Sequence, residues 1–418
     1  MYLNYFDKFR DMEPYLKIGK KEWAYIKETF DRPDIQETLV EILKDYELPT
    51  QELTKKDAYK DFMKLKGIQW PDYLVETEWY ARSEYKWPLS KKIIRRINRG
   101  NDASNYFQQY NRWSVDGTIS PGPVRTWENP KFMYTLLGSL FTLEVEKVDR
   151  GTLRSCIGLR KYICSQFKPN VAKSIYDIFK SKNILDFSAG WGDRLAGFYA
   201  SETGEYYLGI DPRKENHSIY KEQAEFYSKH LGFFEHEKKS DFICEPAEDV
   251  DLSIYESYFD LVFTSPPYFN VERYSHDDTQ SWVRYKNIDL WNKSFLQTAV
   301  KNVWKTLRKG GILMVNISDV NASSGGKKDW LKICDPMNDY IKTFDDSEYV
   351  ECFGMEMAKR PNSIGVGTAE GDENNNEKEG DTFFPEFNSE EWTCESTETK
   401  NADEKNMHDL TFETWSRT

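Results

Sequence analysis

The stretch Asn183-Ile-Leu-Asp-Phe-Ser-Ala-Gly-Trp-Gly-Asp-Arg194 decides the fold. Asn183–Phe187 is a short apolar run that reads as a buried strand. It opens into a turn with two glycines, and Arg194–Ala200 continues with helical spacing. The same alternation repeats downstream. Tyr206–Asp211 reads as a second strand, His217–His230 as a helix and Asp241–Cys244 as a third strand. Phe259–Thr264 is a fourth, ending at a Pro pair. Trp291–Leu307 follows as a long helix, with Lys309-Gly-Gly311 as its stop and Ile312–Ile317 as the next strand. Strands alternating with helices predict an α/β domain, a mostly parallel sheet with helices on both faces. Such sheets take ligands at the C-terminal ends of their strands. Both unusual segments of this chain, the glycine turn and the Pro pair, fall at such ends.

The rest of the chain is organised around that domain. Residues 1–150 read as a mainly helical region, with helices at Lys20–Phe30, Asp34–Asp45 and Phe132–Leu143. The domain itself is set at 151–360, entered through helices at Leu153–Lys161 and Val171–Phe179. The loop Asp116–Trp127 has two Pro and two Gly to fix its backbone. Residues 361–418 read as an acidic, largely disordered tail, in which Phe383-Phe-Pro-Glu-Phe-Asn-Ser-Glu-Glu-Trp392 is suited to docking back on the body.

The net charge of −13 looks wrong for a nucleic-acid partner until it is divided. From Pro361 onward there are 15 acidic and 4 basic residues, and the body before it carries a net −2. A nearly neutral body still allows a local basic face. The six Cys include no CxxC pair and the five His do not join them, so neither a metal site nor a disulfide framework is expected. No run reaches the roughly 18–20 apolar residues that span a bilayer. The start MYLNYFDKFRDMEPYLK has no signal-peptide core, and a cytoplasmic location is the expectation.

The segment Thr264-Ser-Pro-Pro-Tyr-Phe269 carries the chemistry. An exocyclic amine on adenine or cytosine is a poor nucleophile because its lone pair is delocalised into the ring. Two acceptors that draw its hydrogens out of the ring plane make it more tetrahedral. The Ser265 hydroxyl and the Pro266 carbonyl are such a pair. Pro266 and Pro267 stiffen the turn, and Tyr268 is placed to stack on an extruded base. No strong general base is required. The competing account is an ordinary proline turn after a strand. Its position downstream of a nucleotide-type glycine turn argues against that account.

Ser265-Pro-Pro-Tyr268 resembles motif IV of the S-adenosylmethionine-dependent DNA amino-methyltransferases, and Ile184–Arg194 resembles their motif I. Phe167-Lys-Pro169 before a helix looks like motif X. The resemblance spans roughly Arg154 to Arg360. It implies a Rossmann-like methyltransferase fold and S-adenosylmethionine as cofactor. It also implies methylation of the N4 of cytosine or the N6 of adenine, in a restriction–modification setting. Ser in the first motif position leans slightly toward cytosine. Phe167, Lys168, Asp186, Ser188, Gly190, Gly192, Asp211 and Glu248 are then the cofactor residues. Asp186 meets the methionine ammonium directly or through water, Asp211 the ribose, and Glu248 (or Glu245 or Asp249) the adenine amine.

A recognition region after the core is usual in that family, and here only the acidic tail follows. Target recognition therefore falls to the N-terminal region. Lys91, Lys92, Arg95, Arg96 and Arg99 are expected there, on a helix that pairs Lys92 with Arg96 and Arg95 with Arg99, beside Tyr106, Phe107, Tyr110 and Trp113. Three rival readings remain: an RNA enzyme acting on the N2 of guanine in transfer RNA, an inactive binding protein, and a dinucleotide dehydrogenase. The last is disfavoured because Gly190-x-Gly192 is followed by Gly197, not by G-x-x-G spacing, and because Asp193 opens the helix where a diphosphate would sit.

Overall fold

A computed structural model of the protein describes residues 3–81, 83–117, 120–232, 236–321, 330–355, 370–371, 392–400 and 410–417. The chain divides into two units, residues 1–357 with 364–372, and residues 358–363 with 373–418.

The first unit begins with helices α1 (Lys20–Thr29), α2 (Arg32–Leu43), α3 (Lys55–Lys66), α4 (Asn101–Trp113), α5 (Pro130–Leu137) and α6 (Arg150–Arg160). Apolar residues recur on one face of each, and those of α1, α2, α5 and α6 close a core that includes Trp23, Leu39, Leu136 and Ile157. Leu153, Cys156 and Ile157 of α6 belong to this core. The boundary expected at 150 therefore falls at the start of a helix that packs with the N-terminal region.

α7 (Pro169–Ile178) leads into the central sheet, whose strands are β3 (Asn183–Asp186), β4 (Tyr206–Ile210), β5 (Lys239–Ile243), β6 (Phe259–Thr264) and β7 (Leu307–Val315). Among the short strands that precede them in the chain are β1 (Leu74–Glu76) and β2 (Lys92–Ile94). The spatial order is β7-β6-β3-β4-β5, with every neighbour parallel. α8 (Asp193–Ala200), α9 (Lys214–Ser228) and α10 (Gln297–Trp304) are connecting helices. This is the doubly wound α/β order with its switch point between β3 and β6, a Rossmann-like sheet as expected. α3 and α4 contribute Phe62, Leu65 and Ala103 to a core shared with α7 and α8. The N-terminal helices are thus built into the same body as the sheet.

Two expectations change. The helix before β7 ends at Trp304, after a π-helical turn at Asn292–Leu296. Arg308–Gly311 lie within β7, whose register shifts between Leu307 and Ile312, and Gly310 takes φ +74° there. The glycine pair therefore makes a strand irregularity and is not a helix stop. The basic run 91–99 is not helical. Ile93 and Ile94 are buried in β2, which pairs antiparallel with β1 and parallel with β8 (Gly354–Met355). Two adjacent β-branched residues favour the strand.

In the second unit, Trp392–Lys400 and Leu410–Arg417 pair as antiparallel strands, with a register shift between Cys394 and Ser396. Of the segment expected to dock back, all but Trp392 lies outside the described residues. Among the described residues no helix is long and apolar enough to cross a membrane, and no cluster of metal-ligating side chains occurs.

Gly197 lets α8 approach α7 closely. A Cβ there would lie 2.7 Å from the Ala172 Cβ and 2.8 Å from the Lys173 nitrogen of α7. Gly197→Ala should destabilise the protein by about 1–3 kcal/mol through overpacking, read as a lowered urea midpoint with an unchanged m-value.

Candidate active site

β3 and β6 are adjacent, with Ile184 opposite Leu261 and Leu185 opposite Val262. The glycine turn and the Ser265 turn therefore leave the sheet side by side. Thr264 ties them together, its hydroxyl donating to Asp186 Oδ1 at 2.8 Å. Asp186 is fully buried. Its Oδ1 also accepts the Ser188 N–H at 3.2 Å. Its Oδ2 accepts Arg194 Nε and the Tyr207 hydroxyl, both at 2.7 Å. With both oxygens occupied, Asp186 braces the floor of the site. A direct contact with a cofactor ammonium would require it to give up one of these partners.

The loop above it is closed by its own hydrogen bonds. Ala189 N–H donates to the Ile210 carbonyl, Gly190 N–H to Asp211 Oδ2 and Gly192 N–H to the Ala189 carbonyl. Gly190 and Gly192 take φ +60° and +74°, which side-chain-bearing residues rarely adopt. Three of the turn's amides that could meet a phosphate are thus already committed. Asp193 bears on the same question differently from expectation. It is buried and turned toward Gln166, which donates to it at 2.9 Å, so its charge does not face the loop. What stands against a diphosphate is the glycine spacing, with the three committed amides beside it.

Asp211 ends β4. Burial pushes its carboxyl up, opposed by the N–H groups of Arg213 and Gly190 that it accepts. Glu248 follows β5, buried, with Oε1 on Arg284 (2.6 Å) and the Tyr285 hydroxyl (3.0 Å). Its Oε2 is buried without a hydrogen-bond partner among the described residues. A buried, orphaned carboxylate oxygen is an acceptor awaiting a donor. Burial also pushes this carboxyl up. Phe167 packs edge-on against Phe263 and lies under the Arg194 guanidinium at 5.1 Å. Lys168 caps α7, and its ammonium is held by Asn98 Oδ1 at 2.7 Å.

Beyond β6, Ser265 is half-buried, Pro266 is buried, and Pro267 and Tyr268 are half-buried. Phe269 turns the chain with φ +54°, its ring buried edge-on against Trp291. Burial pushes the Tyr268 hydroxyl up to about 12. Sequence reasoning missed two residues here. Asn316, just past β7, donates through Nδ2 to Ser265 Oγ at 3.0 Å and to Tyr268 Oη at 2.9 Å. Glu272 accepts the Ser165 N–H at 3.0 Å and the hydroxyls of Tyr162 and Tyr274. Glu272–Arg273 pair antiparallel with Asp116–Gly117, joining the loop after Tyr268 to the N-terminal region.

The basic run does not form one face. Lys91 pairs with Glu78, and Lys92 with both oxygens of Glu351 at 2.9 and 3.0 Å. Arg95, Arg96 and Arg99 lie in the irregular stretch before α4, with Arg95 and Arg99 exposed. On α4, Tyr106 and Tyr110 are exposed one turn apart, whereas Trp113 is core.

No curated protein matches the chain. The family model described as Dihydrofolate reductase matches residues 373–417 alone, outside the site. Among solved structures, the chain is similar to the YcgJ protein from Bacillus subtilis at 15% identity and TM-score 0.23, over 35% of this chain and 49% of that one. It is similar to an S-adenosylmethionine-dependent methyltransferase from Clostridium acetobutylicum at 14% identity and TM-score 0.23, over 38% of this chain and 56% of that one. The chain spans about half the length of each. Likeness at this level says nothing of activity, and the fold assignment stands on the sheet order.

Asp186→Ala would leave the Arg194 guanidinium buried without its carboxylate. A loss of about 3–5 kcal/mol in unfolding free energy is expected, measured by urea denaturation without ligand. A variant as stable as the wild type would return Asp186 to the role of a ligand contact.

Proposed function

We propose that the protein transfers a methyl group from S-adenosylmethionine to an exocyclic amine of a nucleobase, in DNA rather than RNA. The observation that carries this reading is the pairing of the two loops. A glycine turn and a Ser-Pro-Pro-Tyr turn emerge from adjacent parallel strands and are joined by the Thr264–Asp186 bond.

The residues present fit the cofactor. The Ala189, Gly190 and Gly192 amides are already bonded, and S-adenosylmethionine has no phosphate that would need them. Asp211 retains acceptor capacity for ribose hydroxyls, and the orphaned Glu248 Oε2 suits an adenine amine. The backbone at Gly190 is open, since a Cβ there would meet nothing nearer than 3.7 Å. Phe167, Lys168, Ser188 and Gly192 complete the candidate set. When bound, the cofactor supplies an electrophilic methyl on a sulfonium.

The protein's part is to hold the amine. Ser265 Oγ and the Pro266 carbonyl accept its two hydrogens, which localises the nitrogen lone pair. An amine that gains a methyl must shed one proton. Tyr268, with its hydroxyl pushed up to about 12, stays protonated at neutral pH and is no base, so that proton passes to water. Catalysis is then positioning and electrostatic preorganisation. Arg95, Arg99, Tyr106 and Tyr110 are the exposed residues of the N-terminal region proposed to meet the nucleic acid. With their ammonium groups paired to Glu78 and Glu351, Lys91 and Lys92 are weaker candidates.

Expression with plasmid DNA, followed by nucleoside mass spectrometry of DNA and RNA, tests the reaction. N4-methylcytosine or N6-methyladenine should appear in DNA with the wild type and fall about a hundredfold, to a small residual level, with Ser265→Ala. Methylation confined to RNA would replace the proposed substrate, and identical profiles for the two proteins would end the proposal. Asp211→Ala should weaken S-adenosylmethionine binding at least about tenfold by titration calorimetry, the loss of a charge-assisted hydrogen bond. Unchanged affinity would remove Asp211 from the cofactor site.

A further inference from the structure

Asn316 is the feature of the site that motif reasoning does not reach. Its N–H donates to the Thr264 carbonyl at 2.8 Å, which extends the β6–β7 pairing one residue past β7. That places its side chain beside the Ser265 turn. The two amide hydrogens on Nδ2 reach two different oxygens, Ser265 Oγ at 3.0 Å and Tyr268 Oη at 2.9 Å. In return, the Tyr268 hydroxyl donates to the Asn316 carbonyl at 3.3 Å. Ser265 Oγ and Tyr268 Oη are 3.5 Å apart.

The donors and acceptors of this group can be counted through. A serine hydroxyl has one hydrogen and two lone pairs. Asn316 occupies one lone pair of Ser265. The Tyr268 hydrogen is spent on the Asn316 backbone, so the Ser265 hydrogen has Tyr268 Oη as its acceptor. What remains of Ser265 is one lone pair. We infer that Asn316 is a positioning residue that turns the Ser265 hydroxyl into an acceptor only, so that the site selects bases bearing an amine over bases bearing a carbonyl at the same position. Without Asn316 the Ser265 rotor is free to aim its hydrogen outward, where it would meet a carbonyl well and an amine hydrogen badly. This rests on the amine-methylation reading, and it adds the group that sets the polarity of the acceptor.

The test uses the full chain and has two arms. In the first, nucleosides are titrated into protein saturated with S-adenosylhomocysteine: cytidine against uridine, and adenosine against inosine. The wild type should bind the amine-bearing member of one pair about tenfold more tightly, the range of one well-made hydrogen bond. Asn316→Ala should lose that preference while S-adenosylhomocysteine affinity is unchanged. Preference kept in Asn316→Ala overturns the role given to Asn316. A wild type without preference in either pair overturns the substrate reading, and the inference with it. Should Asn316→Ala fail to fold, Asn316→Leu keeps the branched shape without the donors.

The second arm is kinetic. Asn316→Ala should lower kcat about tenfold, with KM for S-adenosylmethionine unchanged. Ser265→Ala with Asn316→Ala should be no slower than Ser265→Ala alone, because Asn316 acts through Ser265. Multiplying losses would mean that Asn316 serves only the fold of the turn.

Discussion

The Asp186 carboxylate is the constraint on which the rest of the site depends. A carboxylate removed wholly from water carries a desolvation cost of several kcal/mol, and only a full set of donors makes such a position tenable. Here the donors come from Arg194 on α8, Tyr207 on β4, Thr264 on β6 and the Ser188 backbone. These groups lie on neighbouring strands, the glycine turn and the helix that follows it. Displacing any of them strands a buried charge. A buried ion pair of this kind adds little net stability over a packed apolar pair. What it adds is arrangement: the ends of β3 and β6 are held in one register, with their loops at a fixed spacing.

The Ser265 turn inherits that rigidity. Thr264 is anchored below it by Asp186 and beside it by Asn316 N–H. Pro266 and Pro267 restrict the backbone that follows. Phe269 then reverses the chain in a left-handed conformation while its ring is held by Trp291. A non-glycine residue in that region costs of order 1–3 kcal/mol and persists only where the surroundings over-determine it. The strain falls next to the groups proposed to hold the amine. Preorganised acceptors need no reorganisation at the moment of reaction, which is where such sites gain most of their rate.

How far the sequence disclosed this depends on the kind of signal. The alternation of apolar strands with amphipathic helices from Asn183 to Val315 is a local pattern, and the sheet followed it closely. The glycine turn and Ser265 were legible because positive φ and paired prolines restrict residue type. The basic run misled because dense Lys and Arg satisfy i, i+4 spacing in any conformation. Ile93 and Ile94, two β-branched residues inside the run, were the better guide. Gly310 and Gly311 were read as a helix stop, although glycines also mark irregular strands. Asn316 had no signature at all. Its role arises only when β7 pairs with β6, which are joined by more than 40 residues of chain. Glu272 is similar, its partners Tyr162 and Ser165 lying on the far side of the sheet sequence.

Glu272 also bears on how a target would be presented to the site. The loop that leaves Tyr268 packs Tyr274 against Trp191 of the glycine turn and also reaches the N-terminal region. It pairs through Glu272–Arg273 with Asp116–Gly117, directly after α4, and its carboxylate gathers Tyr162, Ser165 and Tyr274. Arg125, two turns further along, pairs with Asp116 at 3.0 Å, and Asp116 Oδ1 accepts the Gly122 N–H at 2.6 Å. Asp116 thus ties Gly122 and Arg125 to the strand pair that holds the loop. α4, with Tyr106 and Tyr110 facing outward, ends three residues before this junction. In the proposed reading, contact with a polymer along α4 would be transmitted to the wall of the Ser265 site through a two-residue strand pair. On that proposal, the N-terminal region is joined to the site by hydrogen-bonded continuity as well as by its exposed Arg95 and Arg99.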